Sequence, residues 1–116
     1  MIEADKKSAT EGLRLIDSHC HLHDQEFFAP EVQLALLEKF YQDTITEKIG
    51  MICVGTDQKS SRQAVEFAAN HEFTWVAIGV HPHDTKDGWE DVKTLLENKT
   101  ENSPIVAIGE IGLDYY

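Results

Sequence analysis

The chain has 116 residues, with 10 Lys or Arg against 21 Asp or Glu, which gives a formal net charge of −11. Its length predicts one domain, and its 41% of hydrophobic residues excludes a disordered acidic tail. No apolar run is long enough to cross a membrane, and no secretory signal is visible. The acidity argues against a broad basic face for nucleic acid, although a bound divalent metal can supply positive charge locally.

Residues 1–13 show no hydrophobic periodicity, and we expect a flexible tail there, followed by one domain over residues 14–116. The two cysteines, Cys20 and Cys53, are too few for a disulfide framework. They favour a reducing compartment, the cytoplasm, with the nucleus or an organelle as alternatives.

Four short apolar runs predict β-strands, and helical patterns lie between them. The predicted strands are residues 14–17, 51–54, 74–80 and 105–109. A helix is expected over residues 31–48, with Gly50 as its stop. The N-terminal caps expected for the two later helices are Ser60 or Ser61, and then Asp87 with Glu90 three residues on.

The predicted strands are nearly continuous apolar runs, as in strands that are buried on both faces of a parallel sheet. Strand and helix alternate strictly, which predicts an α/β fold of repeated βα units. We expect Trp75 and Trp89 to pack in the core of this fold rather than to bind a ligand.

Five of the six histidines follow predicted strands. In parallel βα folds the carboxyl ends of the strands form the active-site face, so these positions are the candidates for chemistry. The polar segments concerned are residues 17–23, Asp57, residues 81–84 and residues 109–116.

His19 and His21 follow the first predicted strand. Residues i and i+2 of an extended segment point to the same side, so the two imidazoles would lie together while Cys20 faces away. Neutral imidazoles suit a divalent ion such as zinc. Asp17 and His23 are also an even number of residues away, so their side chains would point to the same side and could add to the cluster. Loop histidines that make only polar contacts are the alternative, for His23 in particular.

Glu110 directly follows the fourth predicted strand. A carboxylate is costly to bury without a partner, and a metal or another cation would be a natural one. The alternative is a side chain that points to water. Gly109 and Gly112 flank Glu110, which indicates either a tight backbone beside a crowded site or plain turn glycines.

His81 precedes Pro82, and the proline restricts His81 to extended geometry. This would hold His81 toward the top of the sheet as a substrate or phosphate contact, with a surface histidine as the equal alternative. His83 is a weaker candidate. Asp57 is expected to cap a turn or helix, and Asp114 to accept a hydrogen bond behind the site.

Three segments together resemble the TatD family in their order and spacing. They are Asp-Ser-His-Cys-His-Leu at 17–22, Gly-Val-His-Pro at 79–82 and Gly-Glu-Ile-Gly-Leu-Asp-Tyr at 109–115. The family consists of metal-dependent deoxyribonucleases of the amidohydrolase-like superfamily on a TIM barrel. The resemblance covers residues 14–116 and implies the first half of a (β/α)8 barrel, with about four strands. One departure is His23, where the family commonly carries an acidic residue.

The resemblance also implies a role for each matching residue. His19 and His21 would ligate a first divalent metal, and Glu110 would ligate that metal and bridge to a second, the ions being Mg, Mn or Zn. His81 would lie near the substrate phosphate. Glu110 and His81 would thus be catalytic, and His81 and Asp114 would bind substrate. The implied reaction is hydrolysis of a DNA phosphodiester, often from an end of the strand, by a water whose pKa a metal lowers.

A TIM barrel takes about 250 residues, so the chain is expected to be incomplete as a nuclease. Family members supply two further histidines from strands five and six and an aspartate near strand eight, and the 116 residues hold none of these. Strands one and four would be exposed apolar edges. We expect a fragment of a longer enzyme, a chain that pairs with another copy or a second chain, or a degenerate product, with weak or no activity alone.

Two other classes of function stay open. Another amidohydrolase-like metal hydrolase, acting on a small ester or amide, would share the His-x-His motif, whereas residues 109–115 favour the nuclease. A non-catalytic binding or assembly module would fit the missing ligands and the exposed edges. No membrane partner is expected.

Overall fold

The computed structural model of the chain describes residues 10–24, 26 and 30–115, and the side chains of residues 30–33 lie outside this description. The elements in chain order are β1 Leu15–Cys20, α1 Pro30–Thr46, β2 Ile49–Val54, α2 Gln58–Ala69, β3 Thr74–Ile78, a 3₁₀ helix Pro82–Asp87, α3 Glu90–Glu97 and β4 Ile105–Ile108. Residues 1–9 of the expected tail are not among the described residues, so its flexibility stays a prediction.

The four strands form one parallel sheet in the order β1-β2-β3-β4. Right-handed crossovers that always step to the next strand place the helices on the same face of the sheet. This is the arrangement of a βα barrel, in which the other face turns inward. The fold is therefore an α/β fold of repeated βα units that forms part of a TIM barrel, as the sequence predicted.

The hydrophobic core lies between the sheet and its helices. Val76 and Ile78 of β3 and Cys53 of β2 are completely buried there. They pack against the buried faces of the three α-helices and against the neighbouring strands. The other buried members of this core are Leu37, Tyr41, Met51, Ala64, Phe67, Ala68, Val92 and Ile105. None of the helices in the described ranges is long and apolar enough to cross a bilayer.

Gly50 lies inside β2, so the prediction that it ends the first helix is wrong. The helix ends at Thr46, and Lys48 takes a positive φ of 58° as the chain turns into the strand. A Cβ atom at Gly50 would lie 2.8 Å from Leu13 and 3.0 Å from Trp75. The glycine therefore makes room for these side chains to pack on the inner face of the sheet.

Asp57 caps α2, and the prediction of Ser60 or Ser61 as the cap is wrong. The Asp57 carboxylate accepts a hydrogen bond of 2.7 Å from the N–H of Ser60. Asp57 has the extended backbone that a capping residue needs, whereas both serines already lie inside the helix. The expectation that Asp57 is a capping residue is confirmed.

α3 begins at Glu90, and Asp87 belongs to the preceding 3₁₀ helix, so the expected capping box is wrong. The carboxylate of Glu90 accepts instead from the N–H of Trp89, at 3.0 Å. Trp89 has no side-chain cap of its own and is 57% exposed, which contradicts its expected place in the core. Trp75 is half-buried on the inner face.

The two outer strands are exposed, as expected for the edges of a half sheet, so the prediction from their apolar runs that they are buried on both faces is wrong for them. In β1 the residues up to His19 are exposed, and in β4 only Ile105 is buried. Each of these strands has one neighbouring strand among the described residues, and the inner face of the sheet has no described strand opposite it. β1 also runs to Cys20, beyond its predicted end, so that His19 lies inside the strand.

Candidate metal centre

Glu110 is the centre of a cluster of histidines at the carboxyl ends of the strands. Its Oε1 atom lies 2.9 Å from Nε2 of His19 and 3.9 Å from Nε2 of His21. Its Oε2 atom lies 3.5 Å from Nε2 of His81. Two segments that are remote in sequence thus bring their histidines to one half-buried carboxylate on a third segment.

The His-x-His segment brings two imidazoles together, as predicted from the alternation of side chains along an extended segment. The rings of His19 and His21 are 5.1 Å apart in an edge-to-face arrangement. Cys20 faces the opposite side of the sheet and contacts Cys53. Asp17 takes no part in the cluster: its carboxylate accepts a hydrogen bond from the N–H of His19 at 3.0 Å, where the pairing of β1 with β2 shifts register.

Backbone hydrogen bonds hold the loops of this site in place. The N–H of Glu110 donates to the carbonyl of Gly55 at 2.9 Å, and the N–H of His81 donates to the carbonyl of Thr56 at 2.7 Å. The loop that carries Glu110 crosses directly over Gly79, where a Cβ atom would lie 2.5 Å from the Glu110 carbonyl oxygen. Only a glycine at this position lets the Glu110 loop pass so close to the end of β3.

The backbone decides which nitrogen of His21 carries the proton. Nδ1 lies 2.8 Å from the carbonyl oxygen of Val54, the last residue of β2. Because a carbonyl only accepts hydrogen bonds, Nδ1 must donate, and in the neutral ring the lone pair is then on Nε2. This is the nitrogen on the side of Glu110, as a metal ligand requires.

His81 has the opposite tautomer. Its Nδ1 atom accepts a hydrogen bond of 3.1 Å from the N–H of His83, so in the neutral ring the proton lies on Nε2. Nε2 points toward Glu110 and can donate a hydrogen bond there. The site therefore combines a histidine that presents a lone pair, His21, with one that presents a donor.

Among the described residues, His19, His21 and Glu110 form a group whose potential ligand atoms all lie within 4.8 Å of one another. Two imidazole nitrogens and one carboxylate oxygen are a common donor set for zinc and related divalent ions. The donor chemistry and the His21 tautomer both fit a bound divalent metal.

A groove of about 490 Å³ opens beside this group. His83 and Asp114 stand at the carboxyl ends of β3 and β4, where Nε2 of His83 lies 3.1 Å from Oδ2 of Asp114. The sequence ranked His83 below His81, although both follow the third predicted strand. Residues lining the groove are Ser18, His19, Val54, Ala77, His81, Pro82, Gly109, Glu110, Ile111, Gly112 and Leu113.

His23 does not join the cluster, although it shares the parity of His19 and His21. It is 2% exposed, and neither ring nitrogen has a hydrogen-bond partner among the residues that the structure describes. Burial lowers the pKa of His23 to about 4, because the charged ring would lose its hydration. The imidazole is therefore a neutral packing residue.

Cys20 and Cys53 share a hydrogen bond between their sulfur atoms, which are 3.8 Å apart. This contact lowers the pKa of the Cys20 thiol and, together with burial, raises the pKa of Cys53. The two groups lie on the helix-facing side of the sheet, opposite the metal ligands.

The sequence matches a family model described as TatD related DNase over residues 16–116. The chain is 31% identical over 103 residues to YabD of Bacillus subtilis, named as an uncharacterized metal-dependent hydrolase; the match covers 88% of the chain and 38% of the relative. It is 40% identical over 67 residues to a protein of Pantoea ananatis named 3'-5' ssDNA/RNA exonuclease TatD, covering 57% and 26%. The protein of that name from Salmonella typhimurium is 41% identical over 70 residues, covering 57% and 25%.

The chain thus spans between about a quarter and two fifths of the length of these relatives. The match to the family model nonetheless contains β2, β3 and β4, all of β1 except Leu15, and every residue of the cluster around Glu110. Together with the parallel βα sheet, it shows that the chain belongs to the TatD family, a family of enzymes.

Proposed function

We propose that the chain carries the first metal site of a metal-dependent nuclease that hydrolyses phosphodiester bonds of DNA. The observation that carries this proposal is the convergence of His19, His21 and Glu110 at the carboxyl ends of β1 and β4. In βα barrels this end of the strands is where active sites lie.

His19 and His21 would hold the ion through Nε2, and Glu110 through its carboxylate. A bound Mg, Mn or Zn ion would supply a Lewis acid for the phosphoryl oxygen and for water activation. Glu110 is the residue best placed to extend toward a second ion in the complete family site. The hydrogen bond from His21 to Val54 keeps the ring in the orientation that binding needs.

His81 would contact the substrate phosphate as a hydrogen-bond donor. Its Nε2–H points toward Oε2 of Glu110 at the edge of the groove, and the backbone N–H of His83 fixes this tautomer. With Glu110 holding a metal, this N–H would be available to a phosphate oxygen. A phosphate oxygen is an acceptor only, so it complements a donor at this position. Asp114, whose Oδ2 atom lies 3.1 Å from Nε2 of His83, would bind the substrate from the loop after β4.

The substrate is a nucleic-acid strand with a free end. The relatives from Pantoea ananatis and Salmonella typhimurium bear the name of a 3'-5' exonuclease of single-stranded DNA and RNA. A chain with a net charge of −11 has little general attraction for a polyanion. Local binding of phosphate through the metal and His81 would overcome this repulsion at one point of the strand.

We further propose that the isolated chain is a weak or inactive nuclease. The proposed location of the protein is the cytoplasm. The described site offers three protein ligands for one ion and only Glu110 for another. Its open strand edges would be covered by another copy or by a second chain. The physical reason for weak activity is that one ion cannot stabilise the attacking and the leaving oxygen together, as a pair of ions does.

Metal titration by calorimetry, with Zn²⁺ and Mn²⁺ as separate probes, tests the site. We expect one ion per chain, and His19→Ala, His21→Ala and Glu110→Gln should each weaken its binding by about 100-fold or more, because each removes one of three ligands. His71→Ala is the matched control, because His71 packs on Phe67 between α1 and α2, away from the cluster. Equal affinity in the three ligand variants and in the control would overturn the proposal.

Single-stranded DNA labelled at either end tests the reaction itself. We expect slow, metal-dependent loss of nucleotides from the 3' end, further reduced by His81→Gln. The second candidate is hydrolysis of a small ester or amide, because the His-x-His motif is shared with such hydrolases and the name of YabD specifies a metal-dependent hydrolase without a substrate. Cleavage of a chromogenic ester with no cleavage of DNA would select that candidate. Binding of metal with neither activity would agree with the inactive isolated chain proposed above and would not separate it from the non-catalytic module.

A further inference from the structure

Cys20 and Cys53 stand directly opposite each other on neighbouring strands. The pairing of β1 with β2 places their Cα atoms in register, and their sulfur atoms are 3.8 Å apart. Neighbouring strands lie about 4.8 Å apart, which is within the Cα separation that a disulfide spans. A disulfide therefore needs closure of the two sulfur atoms to about 2.0 Å, by side-chain rotation and a small approach of the strands.

The two thiols differ in access. Cys53 is completely buried, whereas Cys20 is partly exposed and lines a groove of about 680 Å³ between β1 and α1. A small oxidant can reach Cys20 through this groove. Cys53 is then within reach of the oxidised sulfur but shielded from the oxidant, as the second thiol of a redox pair should be.

We propose that Cys20 and Cys53 form a dithiol that a peroxide oxidises reversibly to a disulfide, and that the disulfide weakens metal binding by His19 and His21. The sulfur of Cys20 attacks one peroxide oxygen, the O–O bond breaks, and the products are a sulfenic acid and water. The sulfur of Cys53 then displaces the sulfenic hydroxyl, which leaves with the Cys53 proton as a second water. Two thiols lose two electrons, and one peroxide gains them.

The two cysteines are adjacent in sequence to residues of the metal site. Cys20 lies between the two histidines, and His21 follows it directly. The carbonyl that orients the His21 ring belongs to Val54, which directly follows Cys53. The His21–Val54 hydrogen bond therefore joins the same two strands one residue beyond the disulfide, so closing the sulfur atoms changes the strand spacing that this bond depends on. This second half of the proposal rests on the proposed function.

The test is oxidation of the metal-free chain with a small excess of hydrogen peroxide. We expect loss of both free thiols, loss of two hydrogen atoms in the intact mass, and one peptide pair that joins Cys20 to Cys53. Dithiothreitol should restore both thiols. Calorimetry with Zn²⁺ should then show affinity about tenfold or more weaker in the oxidised chain, in line with the effect of disturbing outer partners of metal ligands.

Cys53→Ser is the matched control, and Cys20→Ala is a second one in case the buried serine impairs folding. In both, peroxide should give no intrachain disulfide, and in Cys53→Ser a cyclic diketone should trap the sulfenic acid of Cys20. Disulfides formed only between chains, or further oxidation of Cys20 with Cys53 still free, would overturn the redox pair. A disulfide with unchanged Zn²⁺ affinity would overturn the coupling. Failure of the reduced chain to bind metal would instead count against the proposed function, because the thiol count does not depend on metal.

Discussion

The least satisfied side chain in the described structure is His23. Its ring is buried with both nitrogens unpaired, although it comes from the same segment as His19 and His21. A buried polar group without a partner costs roughly 1–3 kcal/mol of stability. The buried His23 ring therefore lowers the stability of the folded chain, and the size of this destabilisation depends on pH.

The free energy of unfolding should fall as the pH is lowered from about 6.5 to about 4. Burial lowers the pKa of His23 to about 4 in the folded chain, whereas the unfolded chain takes up this proton near pH 6.5. Between these values the unfolded state binds more protons, so acid favours unfolding, with a contribution on the order of 3 kcal/mol across the window. Urea unfolding at several pH values, with a chelator present, measures it.

His23→Leu should remove this part of the pH dependence and be at least as stable as the wild type at pH 7. The control is Leu34→Ala on α1, an exposed side chain that carries no titratable group and whose loss should leave the acid dependence unchanged. An identical pH dependence in wild type and His23→Leu would show that His23 does not titrate as its burial implies.

Most residues of the site could be predicted from the sequence, but the protonation of their ring nitrogens could not. His19, His21, Glu110 and His81 follow strands, and this placement alone predicted that they meet. The assignment of His21 as a lone-pair donor and His81 as a proton donor depends on two backbone groups, the Val54 carbonyl and the His83 N–H. No pattern of side chains encodes such contacts.

At the scale of elements, the site depends on how the loop after β4 crosses the end of β3. Gly79 lies beneath this crossing, with the backbone of Gly109 and Glu110 directly above its Cα. The crossing places the Glu110 carboxylate above the sheet, within reach of the histidines of β1. In the sequence Gly79 appears only as part of a motif. The need for a glycine there comes from a contact with residues about 30 positions away, which the sequence does not show.

Gly79→Ala should destabilise the chain by a few kcal/mol and weaken metal binding together. The added methyl group would lie 2.5 Å from the Glu110 carbonyl oxygen and 2.7 Å from the Gly109 carbonyl carbon, and backbone cannot move away cheaply. Chemical denaturation and Zn²⁺ titration measure the two effects.

Gly109→Ala is the matched control for this substitution. The nearest atom to its new methyl group would be Cβ of Ala77 at 3.9 Å, an ordinary contact. We expect it to change stability far less. If both variants behave alike, the close approach at Gly79 does not determine the position of Glu110.

At the scale of the whole molecule, the sheet has apolar surface that no described element covers. Val106 and Ile108 of β4 are 53% and 59% exposed, and Leu15 and Ile16 of β1 are exposed at the opposite edge. Unpaired parallel edges with apolar side chains favour association with further strands. In a purified sample, the strands available for this association belong to other copies of the chain.

We expect the purified chain to sediment as a species larger than its 13.1 kDa monomer at micromolar concentration. Replacing Val106 and Ile108 together by Lys should shift it toward monomer, because charges on an edge strand oppose pairing. Leu34→Lys is the control: Leu34 is also exposed, but lies on α1, away from the sheet edges. A monomeric wild type, or equal effects of both changes, would contradict association through β4.

The family, the alternation of strands and helices, and the residues that gather at the strand ends could be inferred from the sequence, because apolar periodicity and motif spacing are properties of the chain alone. Other features follow from the folded arrangement. Gly50 lies within β2, the serines proposed as caps lie inside α2, and Trp89 is exposed. The folded arrangement also separates His23 from the cluster and sets Cys20 against Cys53, because each of these depends on what a neighbouring strand or helix presents at short range.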